Sequence, residues 1–327
     1  MNKEEKSIKA LLNSGVPLEN DILCICKNNF SFRDISSDYE FETLDQGKAV
    51  TRSIDFKVSS INNSDKIPNW LNFALECKYH QACNSWYFFQ YNFQKSNSIN
   101  GNALRRGVTH AVRKRNLFIR LFTLNHRGWS YKLDKFEKKA NLFLKNIPLT
   151  WKGVHVTPNH EANTTTIKEG IYQLQGAIPN IVFENYDFAY PASKFGDRDH
   201  YIIPILITTA DLYVSNSNIN LKNLNKNKNC FRKVPYLLLF QNLTKEKQSH
   251  NLSLFKNYIQ KRSEEYEDFL KTFYKKVDEN QKDHKNKFIK QNIDNIIELV
   301  NFYPHIYLIV NFNSFKTIID RIQKIFN

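Results

Sequence analysis

The sequence predicts an α/β protein with a mixed β-sheet flanked by helices. Residues 52–58 and 71–78 alternate apolar with polar side chains, which is the period of a half-buried strand. Residues 164–178 repeat apolar side chains at helical spacing. Three continuous apolar runs are typical of buried strands and cover 201–207, 234–240 and 305–310. Strands that alternate with helices along a chain favour the α/β class.

Turn and cap residues place several boundaries. A first helix is predicted to begin at Ser14-Gly15-Val16-Pro17, because Ser or Gly can cap a helix and Pro17 suits its first turn. Glu19 then lies in that first turn. A short amphipathic helix is predicted at 315–326. Pro204 and Pro235 predict that their strands lie at sheet edges or begin at the proline, since proline cannot donate to a ladder.

Composition limits the partners and the compartment. The formal net charge is +15, which favours a polyanion, first a nucleic acid and second an anionic membrane surface, although an Asn- and Lys-rich composition alone also raises the charge. The five cysteines form no CxxC pair, which argues against a disulfide framework and favours a reducing cytoplasm. The N-terminus lacks an apolar signal core, and no apolar run reaches the ~18 residues of a membrane span. We expect a soluble cytoplasmic protein with no membrane partner.

A basic segment at 103–133 contains no Asp or Glu. Aromatic residues, including Trp129 and Tyr131, are interleaved with its basic residues, a pattern that suits sequence-tolerant contact with a sugar-phosphate backbone. A solvated helix face is the alternative. The candidate nucleic-acid-binding residues are Arg105, Arg106, Arg113, Lys114, Arg115 and Arg120.

The chemistry is predicted to centre on Asp55, Glu76 and Lys78. Glu76 and Lys78 share the polar face of their strand, twenty-one or more residues after Asp55, which leaves room for a turn between two strands. Carboxylates are preferred ligands of hard cations, which polarise a scissile phosphate and acidify a water. We therefore expect Mg²⁺, or Mn²⁺ in its place, bound by Asp55 and Glu76 and by the backbone carbonyl of Cys77. Lys78 would act as the base, orient the water or stabilise the pentavalent phosphate.

These residues resemble a known motif. Arg-Ser-Ile-Asp55 and Leu-Glu76-Cys-Lys78 resemble the PD-(D/E)xK superfamily, the restriction-endonuclease-like nucleases that include type II and type IV restriction enzymes and archaeal Holliday junction resolvases. The resemblance covers residues 14–90, and Ile54 stands where the motif has proline. It implies a restriction-endonuclease-like sheet and a DNA endonuclease acting in defence or repair. A first-helix acid often completes such a site, which makes Glu19 a further metal ligand.

The resemblance also suggests an organisation of the chain. Residues 1–100 would form the restriction-endonuclease-like core, and residues 101–200 a basic insertion with a helical segment. Residues 201–327 would complete the same sheet or form a second domain.

Other residues near the motif are weaker candidates, and each named residue has a structural alternative. Gln81 is expected at the rim of the site, and Gln173 or Gln175 on the helix beside it. Taken singly, Asp55 fits a turn, Glu19 a first-turn acid and Glu76 with Lys78 a solvated face. Their joint placement on strands that otherwise look buried favours a site, because unpaired buried charges are costly.

Several enzyme classes lack their motifs in this sequence. There is no His-x-x-x-His pair for a zinc hydrolase, and no glycine-rich phosphate loop or Gly-x-Ser-x-Gly elbow, so no nucleotide cofactor is expected. Two alternatives stay open: a nucleic-acid-binding protein with a degenerate nuclease fold, and an RNA nuclease of the same fold. A homodimer is also left open.

Overall fold

The computed structural model describes most of the predicted strands and helices. The described residues are 3–29, 32–45, 48–62, 69–81, 83–90, 119–121, 146–188, 199–216, 229–254 and 306–326, with single positions at 143, 219, 224 and 257. The helices are α1 (Lys3–Asn13), α2 (Val16–Asn29), α3 (Thr165–Phe188) and α4 (Phe315–Phe326). The strands are β1 (Phe32–Asp45), β2 (Lys48–Asn62), β3 (Asn69–Lys78), β4 (Ser85–Gln90), β5 (Ile119–Leu121), β6 (Leu149–Val156), β7 (Ala162–Asn163), β8 (Asp199–Thr208), β9 (Asp211–Ser215), β10 (Phe231–Val234), β11 (Tyr236–Phe240) and β12 (Ile306–Asn311).

The described strands form one large mixed sheet, so the predicted α/β class is confirmed. Its order is β1-β2-β3-β8-β12-β11-β6-β4-β9-β10, with β5 paired to β8 and β7 to β6. The hairpin of β2 and β3 is antiparallel, whereas β8 runs parallel to both β3 and β12. The strands near residues 201, 236 and 306 therefore lie in the same sheet as the motif strands, which the sequence left open.

The two faces of the sheet pack against different helices. On one face, apolar residues of β2, β3, β8 and β12 form a single core with α2 and α4. Leu71, Phe73, Leu75 and Cys77 of β3 all belong to that core, as their alternation predicts. The opposite face of β3 and β8 packs against α3. Glu76 and Lys78 therefore lie between the sheet and a helix, and not on an open face.

Pro204 does not lie in an edge strand or at the start of one, so that prediction is wrong. It lies in the middle of β8, opposite Ala74 of β3, and β8 has neighbours on both sides. On the side away from β3, β5 pairs with residues 200–202 and β12 begins its pairing at Ile205. The missing N–H of proline falls in the gap between these two partners, which explains how a central strand tolerates it. Pro235, by contrast, separates β10 from β11 and directly precedes β11.

Two helices extend beyond the sequence prediction. Helix α1 lies outside that prediction and has no buried residue; its apolar residues Ile8, Leu11 and Leu12 are exposed. Helix α3 continues past Pro179 to Phe188. Ile178 and Ile181 are fully buried on either side of that proline, and their packing offsets the lost backbone hydrogen bond.

The chain forms two compact units. The first contains Met1–Thr43, Ala49–Gln241 and Pro304–Asn327, and it holds the motif residues. The second contains Leu44–Lys48 and Asn242–Tyr303, of which residues 245–254 are helical. None of the described helices is long and apolar enough to cross a membrane.

Candidate active site

Asp55 lies where the ladder between β2 and β3 ends. The last paired residues are Phe56 and Leu75, and the chain of β2 continues outward to Asp55. The Oδ2 atom of Asp55 accepts a hydrogen bond from the backbone N–H of Cys77 at 2.5 Å. Burial raises the pKa of Asp55, while this hydrogen bond and the charge of Lys78 lower it. The bond holds the Asp55 carboxylate beside the Glu76-Cys77-Lys78 segment, as the spacing predicts.

Glu76 is a buried acid that is only partly satisfied. Only 1% of the surface of Glu76 is exposed to solvent. Its Oε1 atom accepts a hydrogen bond from Lys78 Nζ at 2.7 Å, whereas Oε2 has no hydrogen-bond partner. Burial, and then the neighbouring Asp55 carboxylate, raise the pKa of Glu76 to about 8, although Lys78 acts against both. A second cation beside the free oxygen would relieve this unfavourable environment.

Lys78 is held from two sides. Besides Glu76, its Nζ donates a hydrogen bond to Gln173 Oε1 at 3.0 Å. The Gln173 amide nitrogen in turn donates to the Ser53 carbonyl at 3.1 Å, which fixes the orientation of the amide. Gln173 thus connects α3 to β2 and β3 through the motif lysine. An ammonium has three donor hydrogens, so one remains beyond these two bonds.

Of the two glutamines expected on α3, only Gln173 reaches the motif. Gln175 is buried and its side chain interacts with the buried hydroxyl of Tyr307, away from Lys78. Gly170 lies one turn before Gln173, and a Cβ atom there would be 2.7 Å from Leu206 Cδ1 and 3.4 Å from Lys78 Cε. The missing side chain therefore lets α3 approach the strands closely enough for Gln173 to bond Lys78.

Glu19 lies within the electrostatic reach of the motif acids. Burial raises its pKa, and the carboxylates of Asp55 and Asp38 raise it further, while Lys78 lowers it. Gly15, with a φ of 85°, turns the chain into α2, and its carbonyl accepts hydrogen bonds from the N–H groups of Leu18 and Glu19. The turn places Glu19 in the first turn of α2, where the charge of Asp55 acts on it.

Asp38 is a functional candidate that sequence reasoning misses. It is an exposed residue of β1 with a positive φ of 48°, and its carboxylate raises the pKa of both Asp55 and Glu19. Nothing in its immediate sequence distinguishes it from the other acids of β1. Only the hairpin pairing of β1 with β2 could have indicated it.

Cys77 faces the core with its side chain. Burial raises the pKa of its thiol well above the usual range, and the surrounding carboxylates add to this. The thiol is therefore protonated and packed among apolar residues. The contribution predicted for Cys77 to a metal site is that of its backbone carbonyl.

Gln81 lies beyond the end of β3 and is exposed. Its amide nitrogen donates to Asn13 Oδ1 at 2.5 Å, and its carbonyl accepts from the Asn84 amide at 2.8 Å. The first bond connects Gln81 to the end of α1, and the second, to its backbone carbonyl, connects it to the segment before β4. The structure does not bring it into the hydrogen-bond network of Lys78.

His80 belongs to an aromatic cluster next to the site. Its ring centroid lies 4.3 Å from that of His155 and 5.4 Å from that of Trp86. Burial, together with the charges of His155 and Lys78, lowers the pKa of His80 to about 4. His80 is therefore neutral near pH 7 and adds no positive charge to the site.

Most of the predicted nucleic-acid-binding residues lie outside the described residues. This applies to Arg105, Arg106, Arg113, Lys114 and Arg115. Arg120 lies in β5, where its backbone pairs with Tyr201 of β8.

The donor set suits a hard cation such as Mg²⁺ or Mn²⁺ better than a softer metal ion such as Zn²⁺ or Cu²⁺. Asp55, Glu76 and Glu19 offer carboxylate oxygens, the ligands that Mg²⁺ and Mn²⁺ prefer. Among the described residues, no three His, Cys, Asp or Glu side chains form a ready-made metal cluster. The free Oε2 of Glu76 nevertheless fits a cation, because Mg²⁺ typically takes only one or two protein carboxylates and keeps several waters.

No family model, curated protein or solved structure matches this chain.

Proposed function

We propose that this protein is a Mg²⁺-dependent endonuclease that hydrolyses DNA phosphodiester bonds with a restriction-endonuclease-like site. The observation that carries the proposal is the buried Glu76. One of its oxygens is bound to Lys78, the other has no partner, and the Asp55 carboxylate lies beside it. A buried pair of acids with one free oxygen is unfavourable without a cation. The resemblance to the PD-(D/E)xK motif supports a nuclease over other metal enzymes.

Each side chain has a distinct role in this proposal. Asp55 and Glu76 would hold the ion, with Glu19 completing its coordination directly or through water. When bound, Mg²⁺ supplies polarisation of the scissile phosphate and acidification of a water. Cys77 N–H keeps the Asp55 carboxylate in place through its 2.5 Å bond. Asp55 is therefore oriented before any ligand binds.

Lys78 would act on the phosphate or on the attacking water. Two of its donor hydrogens point to Glu76 and Gln173, so the third is free to meet substrate oxygen. The ammonium would stabilise the negative charge that develops on the pentavalent phosphate; in the role of base, Lys78 would first release a proton and its neutral amine would then take one from the attacking water. Gln173 is a positioning residue, since it acts through Lys78.

A nicking assay on supercoiled plasmid DNA tests the proposal. We expect the wild-type protein to nick with Mg²⁺ or Mn²⁺ and not with EDTA. Lys78→Ala should lower the rate by about 10²- to 10⁴-fold, because the variant has no ammonium at the reacting centre. It should leave Mn²⁺ binding intact, since Lys78 is not a ligand, whereas Asp55→Ala should lose Mn²⁺ binding as well.

The matched control is Lys233→Ala. Lys233 also pairs with a carboxylate, Asp211, at 2.7 Å, but both side chains are exposed. This variant should nick at the wild-type rate. Equal rates for Lys78→Ala and wild type would place the site elsewhere. If no linear, supercoiled or branched DNA and no RNA is cleaved, the protein is a nucleic-acid-binding module, and cleavage of RNA alone would identify an RNA nuclease.

A further inference from the structure

Four aromatic side chains form a contiguous cluster on strands β4, β9 and β10. Tyr87 stacks on Tyr213 with ring centroids 4.9 Å apart and ring planes 13° from parallel. Phe231 packs edge-to-face against Tyr87 at 5.1 Å and against Phe89 at 5.8 Å. All four residues are half-buried, so part of each remains open to solvent. We call these four residues the aromatic face.

The aromatic face lies on the side of the sheet away from α3. The residues that flank Tyr87 along β4, Trp86 and Phe88, are fully buried and point to the opposite side. A Cβ atom at Gly153 would meet both the ring of Phe88 and Ile167 of α3, so that opposite side packs against α3. The motif residues also lie on the α3 side. The aromatic face and the candidate active site therefore occupy opposite faces of the sheet.

The aromatic face lies beyond the core that α2 and α4 form on its side of the sheet. Among the described residues, neither that core nor the half-buried side chains packed against it include any of the four rings. The exposed parts of the rings are therefore not covered by α2 or α4. A contiguous, partly exposed group of aromatic rings is typical of a binding surface, unlike single exposed apolar residues.

The surroundings of the aromatic face favour a polyanionic partner. Lys152 is the cross-strand partner of Phe89, and such partners share one face of a sheet, so an exposed ammonium flanks the rings. Asp211 lies on the same face, but its carboxylate is paired with Lys233 at 2.7 Å. The basic segment 103–133 lies in the chain between β4 and β6, the strands that carry Phe89 and Lys152. A phosphate chain complements these charges and the net charge of +15.

We propose that the aromatic face binds single-stranded DNA, with unpaired bases against its rings and a phosphate beside Lys152. Aromatic side chains reach the flat faces of bases only where the bases are not stacked in a duplex. Every base has such a face, so binding should tolerate any sequence. This surface goes beyond the proposed function, because it lies across the sheet from the motif and requires no metal ion. It gives the protein a means of holding a strand that is separate from cleavage.

Fluorescence anisotropy of a labelled thymidine oligonucleotide of about twelve nucleotides tests the aromatic face. The full chain would be measured in EDTA, which prevents metal-dependent cleavage. Tyr213→Leu and Phe231→Leu keep an apolar side chain in the strand and remove the ring. Each should weaken binding of this probe by about 5- to 100-fold, because one stacked base is lost. Tyr213→Phe keeps the ring and should bind like the wild type.

The matched control is Tyr172→Leu, the same substitution at an exposed tyrosine of α3, on the other side of the sheet. It should bind the oligonucleotide like the wild type. A duplex of the same length should bind Tyr213→Leu and wild type equally, since its bases are stacked. Failure of the wild type to bind the oligonucleotide, or wild-type affinity in both leucine variants of the aromatic face, overturns the proposal. An equal loss of duplex binding, or an equal loss in Tyr172→Leu, does so too, and the plasmid nicking assay tests the motif separately.

Discussion

At the scale of single residues, two buried charges on the same face of the sheet differ in how they are satisfied. Lys57 is 9% exposed and pairs with Glu184, which also accepts a hydrogen bond from Tyr39 at 2.8 Å. That cluster leaves its ammonium paired. Glu76 has one oxygen paired and one without a partner. The contrast indicates that the environment of Glu76 is incomplete in the protein alone.

The raised pKa of Glu76 predicts a specific pH dependence of stability. The carboxyl ionises near 4.5 when free and at about 8 in the folded protein. Between these values the folded state holds a proton that the unfolded state has lost, so stability falls as pH rises through this window. Glu76→Gln cannot ionise. The melting temperature of Glu76→Gln should therefore rise relative to that of the wild type between pH 5 and pH 8. The corresponding gain in the free energy of unfolding is on the order of a few kcal/mol.

Thermal denaturation of both proteins in parallel buffers measures this difference. Adding Mg²⁺ at pH 8 should stabilise the wild type and leave Glu76→Gln nearly unchanged, because binding to the folded state alone shifts the equilibrium. If the difference in melting temperature between the two proteins stays constant from pH 5 to pH 8, Glu76 ionises at an ordinary pKa.

At the scale of elements, α3 acts as the cover of the candidate site. Its close approach depends on Gly170, and Gln173 one turn later bonds Lys78. Gly176 is a second close approach, since a Cβ there would meet the ring of Phe41 in β1. Two glycines thus bring the same helix down onto three strands. The helix has a packing role and a role in orienting the motif lysine.

Gly170→Ala should destabilise the protein although alanine favours helices. The added Cβ would lie 2.7 Å from Leu206 Cδ1, so the helix or the leucine must move. Overpacking of this kind costs about 1–3 kcal/mol, which exceeds the ~1 kcal/mol that alanine contributes to the helix. Urea denaturation measures the change. Nicking should also slow, because Gln173 moves away from Lys78.

Two further variants control this experiment. Glu169→Ala changes an exposed position of the same helix and should leave stability within about 0.5 kcal/mol of wild type. Leu206→Val in the Gly170→Ala background makes room for the new methyl group and should recover part of the loss. A Gly170→Ala protein as stable as wild type would mean that α3 lies farther from the sheet than the structure places it.

At the scale of the whole molecule, the net charge of +15 predicts salt-dependent binding to nucleic acid. Charge reversal at Arg113, Lys114 and Arg115 should weaken DNA binding across sequences. The slope of log affinity against log salt should decrease by about one for each phosphate that the variant no longer neutralises. Fluorescence anisotropy over a salt series measures both quantities.

Charge reversal at Arg232 and Lys233 in β10 is the control for the loss of net charge by itself, because these two residues lie outside the basic segment. This variant should retain more of the wild-type slope than the triple variant. If the slope of log affinity against log salt is unchanged in the variant reversed at Arg113, Lys114 and Arg115, the basic segment does not contact the phosphate backbone.

The sequence by itself determined the local features of this protein. Alternation over two strands placed Phe73 and Leu75 towards the core and Glu76 towards the other face, because the side-chain period of a strand depends only on its own residues. Capping residues located the start of α2 for the same reason. Asp55 was expected near the Glu76 segment because the short stretch of sequence between them leaves room for one turn between two strands.

Tertiary structure alone decided what surrounds those residues. Gln173 reaches Lys78 across 95 positions of sequence, and the charge of Asp38 acts on Asp55 from the neighbouring strand. Pro204 occupies a central strand because the neighbouring strands β5 and β12 leave a gap at that position. Each of these arrangements depends on contacts between distant segments, and local periodicity contains no information about which segments become neighbours.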